Sequence, residues 1–387
     1  MPKRLLSIDV FRAITMFLMI FVNDVAGVRN IPGWIEHTQA EEDGMGFADT
    51  IFPAFLFIVG LSLPWALRKR MERGDSSLQL VLHVASRSLA LIVMGFYHVN
   101  LEAYSAFSVL PKAVWGILIT LSFFLIWLDY SKETRPALRY GLQGLGVAIL
   151  MVMALFYRGG EGDNLHSMQP SWWGILGIIG WAYLVSALVF TLMRGKLVPC
   201  VCAALFFLLI NVLSHMQLMP FTLPVVGDAS SITLIMTGAV VSLVYNRYAS
   251  RSGFTAIWTI LAGTGCALIL FGFFVRPFSG GISKILATPA WVTICAGIST
   301  ICFLLFIWLV DIRQKQNWFR LLRPAGTSTL TCYLMPYLLY FLLQLLHVSF
   351  PAFLSMGTGG ILRSFLVSFF LIQLVGLMEK KQIRLRI

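Results

Sequence analysis

The sequence predicts an all-α protein, a polytopic transmembrane helix bundle of about 10–12 spans that forms one integral membrane domain over residues 1–387. The first observation is composition: 58% of the residues are hydrophobic and 12% are charged, whereas soluble domains carry about 25% charged residues. The second is that the apolar residues come in runs of roughly 17–24, the length of a helix that crosses the hydrocarbon core. The third is an asymmetry of charge between alternate connections.

The apolar runs predict twelve spans, and no connection between them is long enough for a soluble domain. The first run is expected to be a retained span, because Asp9 and Arg12 interrupt the approach to it and no small-x-small cleavage site follows. The runs lie near residues 8–26, 47–67, 80–98, 111–129, 138–156, 172–192, 198–216, 231–246, 255–275, 289–310, 325–347 and 360–378.

Basic residues predict the orientation of these spans. With a cytoplasmic N-terminus, the inner connections contain the Lys and Arg residues of 68–73, 313–323 and 380–386, while the outer loop 27–46 is rich in acids. Cytoplasmic loops carry an excess of Lys and Arg. Both termini are therefore predicted to be cytoplasmic, and the net charge of +12 is explained without a nucleic-acid partner. The Cys-Val-Cys at 200–202 has the spacing of neither a zinc site nor a redox pair, so no metal is expected.

The first span contains two polar residues that are candidates for function, because ionisable and polar groups at membrane depth cost free energy. Arg12 and Asn23 are separated by about three helical turns, which puts them on one face roughly 16 Å apart along the axis. Asp9 can pair with Arg12. The structural alternative is an Asp9–Arg12 pair at the inner interface, with Arg12 snorkelling towards water.

The outer loop between the first two spans contains the densest polar cluster. His37 follows Glu36 and precedes an acidic run at 41–43, and Asp49 opens the second span. Histidine titrates near neutrality, and a carboxylate that orients an imidazole produces a general base. The alternatives are an ordinary loop histidine and an Asp49 that serves as the N-cap of the second helix.

Further candidates lie at both ends of the predicted bundle. On the inner side are Arg87 in the third span and the start of the eleventh, with Gly326, Thr327 and Ser328, where free backbone N–H groups at a helix N-terminus attract anions. On the outer side, Lys284 lies in a glycine-rich loop that is either a linker or the rim of an outer site.

Several motifs in this chain resemble those of a known enzyme family. The stretch RLLSIDVFRAITMFLMIFVND (4–24), a loop histidine and then FADTIFPAFLFIVG (47–60) resemble the heparan-α-glucosaminide N-acetyltransferase family of transmembrane acetyltransferases, and its bacterial members most. Weaker pieces extend the resemblance over most of the chain. They are WWGILGIIGWAYL (172–184), ISKILATPAW (282–291), WLVDIRQKQNW (308–318) and RPAGTSTLTCYL (323–334).

The resemblance implies a membrane-embedded acetyltransferase that moves an acetyl group from cytoplasmic acetyl-CoA to an amino sugar on the outer side. It implies a bacterial inner (plasma) membrane with the His37 loop outside. It also implies catalytic roles for His37, Asn23 and Asp49, and it aligns Arg12 with the arginine of the family's Asp-x-Phe-Arg start.

Attack of an amine on a thioester needs a base for the proton and donors for the oxyanion. His37 can supply the base and the Asn23 amide a donor; alternatively, His37 itself becomes acetylated. Acetyl-CoA is expected to bind through Arg12, Arg87 and residues 326–328, and the acceptor through Glu36 and Lys284.

Two other functions fit the sequence. An amino-sugar transporter of the inner membrane suits the number of spans and a polar interior, although no internal repeat of the kind that such transporters often show is visible. A non-catalytic membrane scaffold is the third hypothesis. The expected partners are acetyl-CoA, an amino sugar and the lipid bilayer, with a homo-oligomer left open.

Overall fold

A computed structural model describes residues 5–162, 164–219, 225–249 and 253–387. These residues form helices joined by loops, and the only strand-like pairing among them is a few isolated bridges, which confirms the all-α prediction. The α-helices are α1 (Leu6–Val25), α2 (Ala48–Glu72), α3 (Ser77–Val99), α4 (Lys112–Trp127), α5 (Pro136–Leu155), α6 (Gly174–Leu192), α7 (Leu197–His215), α8 (Ser230–Ala249), α9 (Gly253–Val275), α10 (Pro289–Phe306), α11 (Arg323–Thr327), α12 (Thr329–Leu345) and α13 (Gly357–Lys380).

Helices occupy all twelve positions at which spans are predicted, but fewer of them can cross a membrane. Within the described ranges, nine helices are long and apolar enough, or ten if the bent pair α11–α12 counts as one span. Helix α4 has 16 residues, about 24 Å, which is shorter than a core of about 30 Å. Helix α8 is not among the candidate spans either, and its last turns contain the polar residues Asn246 and Arg247. The protein is an integral membrane protein, and the nine or ten candidate spans in its described residues lie just below or at the lower end of the predicted 10–12.

Helix α1 lies at the centre of the bundle. It packs against α2, α10, α11, α12 and α13, and 61% of its most apolar window is buried, compared with 17% for α5. A helix so little covered as α5 faces lipid, whereas α1 is enclosed by protein. Two charged residues of α1 accordingly contact other helices: Arg12 contacts Ser62 of α2, and Asp24 contacts Arg363 of α13.

Helix α2 is held in place by close contact with α8. A Cβ atom on Gly60 would collide with the carbonyl oxygen of Ile235, and a Cβ atom on Gly238 would collide with that of Phe57. Small residues let two membrane helices approach until their backbones touch. This contact fixes the direction of α2, so that its first turn lies beside α10. We call the end of the bundle that contains this turn the outer end, and the opposite end the inner end, after the predicted orientation.

The inner end of the bundle contains two irregular segments. Helix α10 continues as a π-helical turn over Ile307–Ile312. The chain bends by 76° between α11 and α12, at Ser328. Residues 1–4, for which a cytoplasmic position is predicted, lie outside the described residues, and the side of the membrane on which each loop lies stays a prediction.

Candidate active site

The loop between α1 and α2 folds back on the start of α2. The Phe47 N–H donates to the carbonyl oxygen of Trp34 at 2.7 Å, and the Ala48 N–H donates to that of Ile35 at 3.2 Å. These two bonds bring the residues that follow Ile35, His37 among them, alongside the first turn of α2.

His37 and Asp49 are in direct contact. Nδ1 of His37 lies 2.7 Å from Oδ1 of Asp49, while Oδ2 of the carboxylate accepts the N–H groups of Thr38 at 3.0 Å and Gly46 at 2.9 Å. The side chain of Asp49 is only 1% exposed. Because a carboxylate only accepts hydrogen bonds, Nδ1 carries a proton, and in the neutral imidazole the lone pair is therefore on Nε2. The imidazole is thereby oriented as a base.

Asp49 is not the N-cap of α2. The N-cap position belongs to Phe47, which makes no capping bond with its side chain. The carboxylate of Asp49 binds loop N–H groups instead, and its main-chain carbonyl accepts the indole N–H of Trp291 on α10 at 3.1 Å. The N-cap alternative is wrong because the loop, rather than the helix terminus, supplies the donors.

Lys284 joins the histidine and the aspartate from the loop between α9 and α10. Its Nζ lies 3.0 Å from Nδ1 and 3.3 Å from Nε2 of His37, and 3.8 Å from Oδ1 of Asp49. Burial lowers the pKa of Lys284 below its ordinary value, and the negative charge of Asp49 opposes part of that shift. Three titratable groups thus meet at one point.

An ion pair ties the two outer loops together. Both carboxylate oxygens of Asp43 accept from Nε of Arg276, at 3.0 and 2.8 Å, and Oδ1 also accepts the Ile282 N–H at 2.7 Å. The Ile282 N–H and the guanidinium hold the pKa of Asp43 below its ordinary value, against the effect of partial burial. The Gly44 N–H donates to the Ile282 carbonyl at 3.0 Å, so the loop that carries His37 is docked on the loop that carries Lys284.

Helix α7 anchors the Lys284 loop from the other side. Nδ2 of the buried Asn211 donates to the carbonyl oxygen of Ala287 at 3.3 Å, and Nε2 of His215 lies 2.8 Å from that of Leu286. The position of Lys284 therefore depends on α7 as well as on α10.

The side chains of Asn23 and Glu36 form no hydrogen bond with His37 in the described part of the chain. Asn23 is exposed in the last turn of α1, Glu36 is partly exposed, and neither side chain takes part in a hydrogen bond or ion pair in the described part of the chain. The neighbouring Asp24 is the residue that α1 uses for packing, because it pairs with Arg363 of α13 at 3.3 Å with side chains 4% and 11% exposed.

At the inner end, Arg12 points into the protein. It pairs with Asp9 at 3.3 Å, as predicted, and it also donates to the hydroxyl of Ser62 on α2. Its side chain is 20% exposed, so it does not simply extend to water. A Cβ atom on Gly326 would lie 2.7 Å from the carbonyl oxygen of Asp9, so the glycine brings α11 against this part of α1.

The inner candidates Thr327, Ser328 and Arg87 differ in whether their polar atoms have hydrogen-bond partners. The Thr327 hydroxyl lies 2.9 Å from Oε2 of Glu379, whereas Oγ of Ser328 is buried at the bend without a partner. The guanidinium of Arg87 lies 5.2 Å from the centre of the Tyr183 ring, and its Nε is also buried and unpartnered. Ser328 and Arg87 thus offer donors that the described residues leave unused.

Sequence reasoning missed the residues that fix the two outer loops. They are Asp43, Arg276, Asn211, His215 and Trp291. The opposite charges of Asp43 and Arg276 in two outer connections are a signal that could have paired them. Within the described residues, no group of three or more His, Cys, Asp and Glu side chains is arranged to hold a metal ion.

Comparison with known proteins gives one family match and two partial relatives. The family model described as "Domain of unknown function (DUF5009)" matches residues 4–217. The heparan-alpha-glucosaminide N-acetyltransferase of Homo sapiens is 38% identical over 100 residues, which are 26% of this chain and 14% of that protein. The protein of the same name from Mus musculus is 35% identical over 98 residues, 25% of this chain and 14% of the relative. The matched stretch thus spans 14% of the length of these relatives.

Proposed function

The chain belongs to the family described as domain of unknown function DUF5009, and from that premise, together with the His37–Asp49 pair, we propose that it is a membrane-embedded acetyltransferase. The proposed reaction moves an acetyl group from cytoplasmic acetyl-CoA to the amine of an amino sugar on the outer side. The partial likeness to two glucosaminide N-acetyltransferases supports the chemistry and suggests the class of acceptor.

The observation that carries this proposal is the contact between an imidazole and a buried carboxylate. An amine that attacks a thioester must lose a proton, and His37 is the base that takes it. Asp49 keeps Nδ1 protonated, so that Nε2 is free to accept the proton from the amine. The same arrangement serves the covalent route, in which Nε2 attacks the thioester and carries the acetyl group.

We assign the oxyanion donor to Asn23. Its amide lies at the outer end of α1, and its side chain is exposed without a hydrogen-bond partner in the described residues, so it is available to a ligand. A preorganised amide donor stabilises the charge that develops on the thioester oxygen. Under this assignment both groups serve one reacting centre, because Asn23 stabilises the oxyanion of the carbonyl that the amine attacks and His37 takes the proton of that amine.

The donor's nucleotide is proposed to bind at the inner end of α1. Arg12 is separated from Asn23 by roughly 16 Å along the helix, and the uncharged pantetheine arm of acetyl-CoA can extend between them. Arg87 and Ser328, with their buried unpartnered donor atoms, and the neighbouring Gly326 and Thr327 would contribute contacts to phosphate.

The acceptor is proposed to approach from the outer loops. Glu36 precedes the histidine and offers a carboxylate to an ammonium or hydroxyl group, and Lys284 offers a hydrogen-bond donor beside Nε2 of His37. These two residues would set which amine reaches the base. The membrane is proposed to be a bacterial inner membrane, with both termini in the cytoplasm.

The decisive experiment measures acetyl transfer directly. Purified protein in detergent is given acetyl-CoA labelled in the acetyl group together with glucosamine, and N-acetylglucosamine is quantified by mass spectrometry. The proposal expects product in proportion to enzyme and none from the His37→Ala variant. Binding of acetyl-CoA without transfer to any of a panel of amino sugars would refute the acceptor class, and no binding of acetyl-CoA would refute the reaction.

A transporter remains the second candidate because of one observation. The span α11–α12 is broken at Ser328 with a bend of 76°, and broken helices line the substrate sites of many secondary transporters. Proteoliposomes that accumulate labelled glucosamine without acetyl-CoA would favour this function. Uptake that depends on acetyl-CoA and delivers only N-acetylglucosamine would favour the enzyme.

A further inference from the structure

The amine of Lys284 lies against the imidazole that an acceptor amine has to reach. A substrate amine must come within about 2.6–3.2 Å of the base that deprotonates it. Nζ of Lys284 lies 3.0 Å from Nδ1 and 3.3 Å from Nε2 of His37, so a small shift of its side chain towards Nε2 would bring it into that range. The protein thus presents a primary amine of its own to the proposed catalytic imidazole.

The amine of Lys284 is held beside His37 by its partial burial and by a fixed loop. The side chain of Lys284 is 26% exposed, and its loop is fixed by the Asp43 carboxylate at Ile282 and by His215 at Leu286. An amine that is fixed beside a base has a high effective concentration towards any acyl group delivered to that base. Its partial burial also favours the neutral, nucleophilic form of the amine.

We propose that Lys284 is a self-acetylation site that takes the acetyl group when no acceptor is present. The proposal rests on the acetyltransferase function proposed above. Nζ of the neutral amine attacks the carbonyl carbon of the thioester, or of acetyl-His37 if the covalent route operates, and a C–N bond forms. On the direct route the C–S bond breaks with its electron pair going to sulfur, and His37 passes the proton lost by Nζ to the thiolate, so that the products are acetyl-Lys284 and free CoA. On the covalent route CoA has left in the first step; the bond between the acetyl carbon and Nε2 breaks with its electron pair returning to Nε2, which takes the proton lost by Nζ.

Acetylation of Lys284 would inhibit the enzyme. The amide no longer carries a charge to pair with Asp49, and its added carbonyl and methyl groups stay beside His37, where the acceptor has to bind. Because an amide bond is not reversed by CoA under ordinary conditions, the modified enzyme would stay inactive. An acceptor that displaces Nζ from His37 would protect the enzyme. Acetylated Lys284 would therefore accumulate only when acceptor is absent.

The experiment compares Lys284 with another lysine of the same molecule. Lys112, which begins α4, is exposed and has no ion pair or hydrogen bond in the described residues. Detergent-purified wild-type protein is incubated with acetyl-CoA alone, digested, and the acetylated fraction of both lysines is followed by mass spectrometry. We expect Lys284 to be acetylated at least about tenfold faster than Lys112, and added glucosamine to slow the modification of Lys284 without affecting Lys112.

Two variants complete the test. His37→Ala should slow the acetylation of Lys284 to the rate of Lys112, whereas Lys112→Arg should leave acetylation of Lys284 unchanged. Equal rates at Lys284 and Lys112 in wild-type protein would overturn the inference, and so would a His37→Ala variant that modifies Lys284 at the wild-type rate.

The outcomes also separate this inference from the proposed function. If glucosamine is acetylated while Lys284 is not, the inference falls and the enzyme function stands. If Lys284 is acetylated while glucosamine is not, the inference stands and the amino-sugar acceptor is wrong. If neither amine is acetylated, both proposals fall.

Discussion

Replacement of Asp49 by asparagine is expected to move the proton of the neutral His37 imidazole from Nδ1 to Nε2. Oδ2 of Asp49 accepts two backbone N–H groups, from Thr38 and Gly46, and Oδ1 accepts from Nδ1 of His37. An asparagine has one oxygen and one NH₂ group. If its oxygen kept the histidine bond, its NH₂ would face two N–H donors and leave both unpaired.

The free-energy difference between the two orientations of the asparagine amide follows from the two backbone donors. Each unpaired buried donor costs about 1–3 kcal/mol, so the orientation with oxygen towards Thr38 and Gly46 is favoured by roughly 2–6 kcal/mol. The asparagine NH₂ then points at Nδ1 of His37, which must accept, and the proton moves to Nε2. An imidazole with a protonated Nε2 cannot take a proton from the acceptor amine.

We therefore expect Asp49→Asn to lower the rate of acetyl transfer by about 10²–10⁴-fold; the corresponding change in a serine-protease triad costs about 10⁴-fold. The assay is transfer from labelled acetyl-CoA to glucosamine at saturating donor, with CoA binding measured separately by calorimetry and expected to be unchanged. Glu42→Gln is the matched control, because Glu42 is exposed in the same loop and its side chain makes no ion pair in the described chain. Activity of Asp49→Asn within about threefold of Glu42→Gln would refute the tautomer argument, since general bases contribute at least about 10²-fold.

Four further changes test the other assignments. His37→Ala should abolish transfer while CoA still binds by calorimetry; transfer within about threefold of wild type would exclude both the base and the nucleophile roles. Asn23→Ala should lower turnover more than it raises KM, as loss of an oxyanion donor does, and the reverse pattern in steady-state kinetics would make Asn23 a ground-state contact. Arg12→Ala should weaken CoA binding more than Arg12→Lys, with 3′,5′-ADP competing for the same site; wild-type affinity in Arg12→Ala would leave Arg12 as a helix anchor only. A cysteine at position 40 should react with an impermeant thiol reagent in intact cells while one at position 72 is protected, and the opposite labelling would invert the topology.

The positions of the helices could be predicted from sequence because a membrane leaves the backbone few choices. Each long apolar run must satisfy its own N–H and C=O groups, and a helix does so locally. The pairing of helices could not be predicted in this way. The contact that fixes α2 depends on Gly60 and Gly238, which are far apart in the chain and are not distinguished by composition from other glycines. The number of spans was harder still, because α4 is a mainly apolar helix whose length of 16 residues excludes it.

The candidate site was predictable to the extent that its residues are close in the chain. His37 and Asp49 lie in one loop and at the helix start that follows it, so a carboxylate beside the imidazole was a reasonable expectation, and the structure brings the two together. Lys284 is separated from His37 by 247 positions, and sequence alone could only put it in an outer loop. Its contact with the imidazole depends on the docking of two loops through Asp43 and Arg276, which no local pattern encodes.

The acidic residues between the first two spans therefore have distinct tasks. Asp43 holds the loop against its neighbour through Arg276 and the Ile282 N–H, and Asp49 holds the imidazole. Three acids of the loop remain: Glu36 is partly exposed, and Glu41 and Glu42 are exposed and keep negative charge at the surface of the loop. Under the proposed function this division has a physical reason. The base must be rigid with respect to a thioester that arrives through the membrane, yet reachable by a cationic amino sugar from water, and negative charge at the rim favours the approach of such a cation.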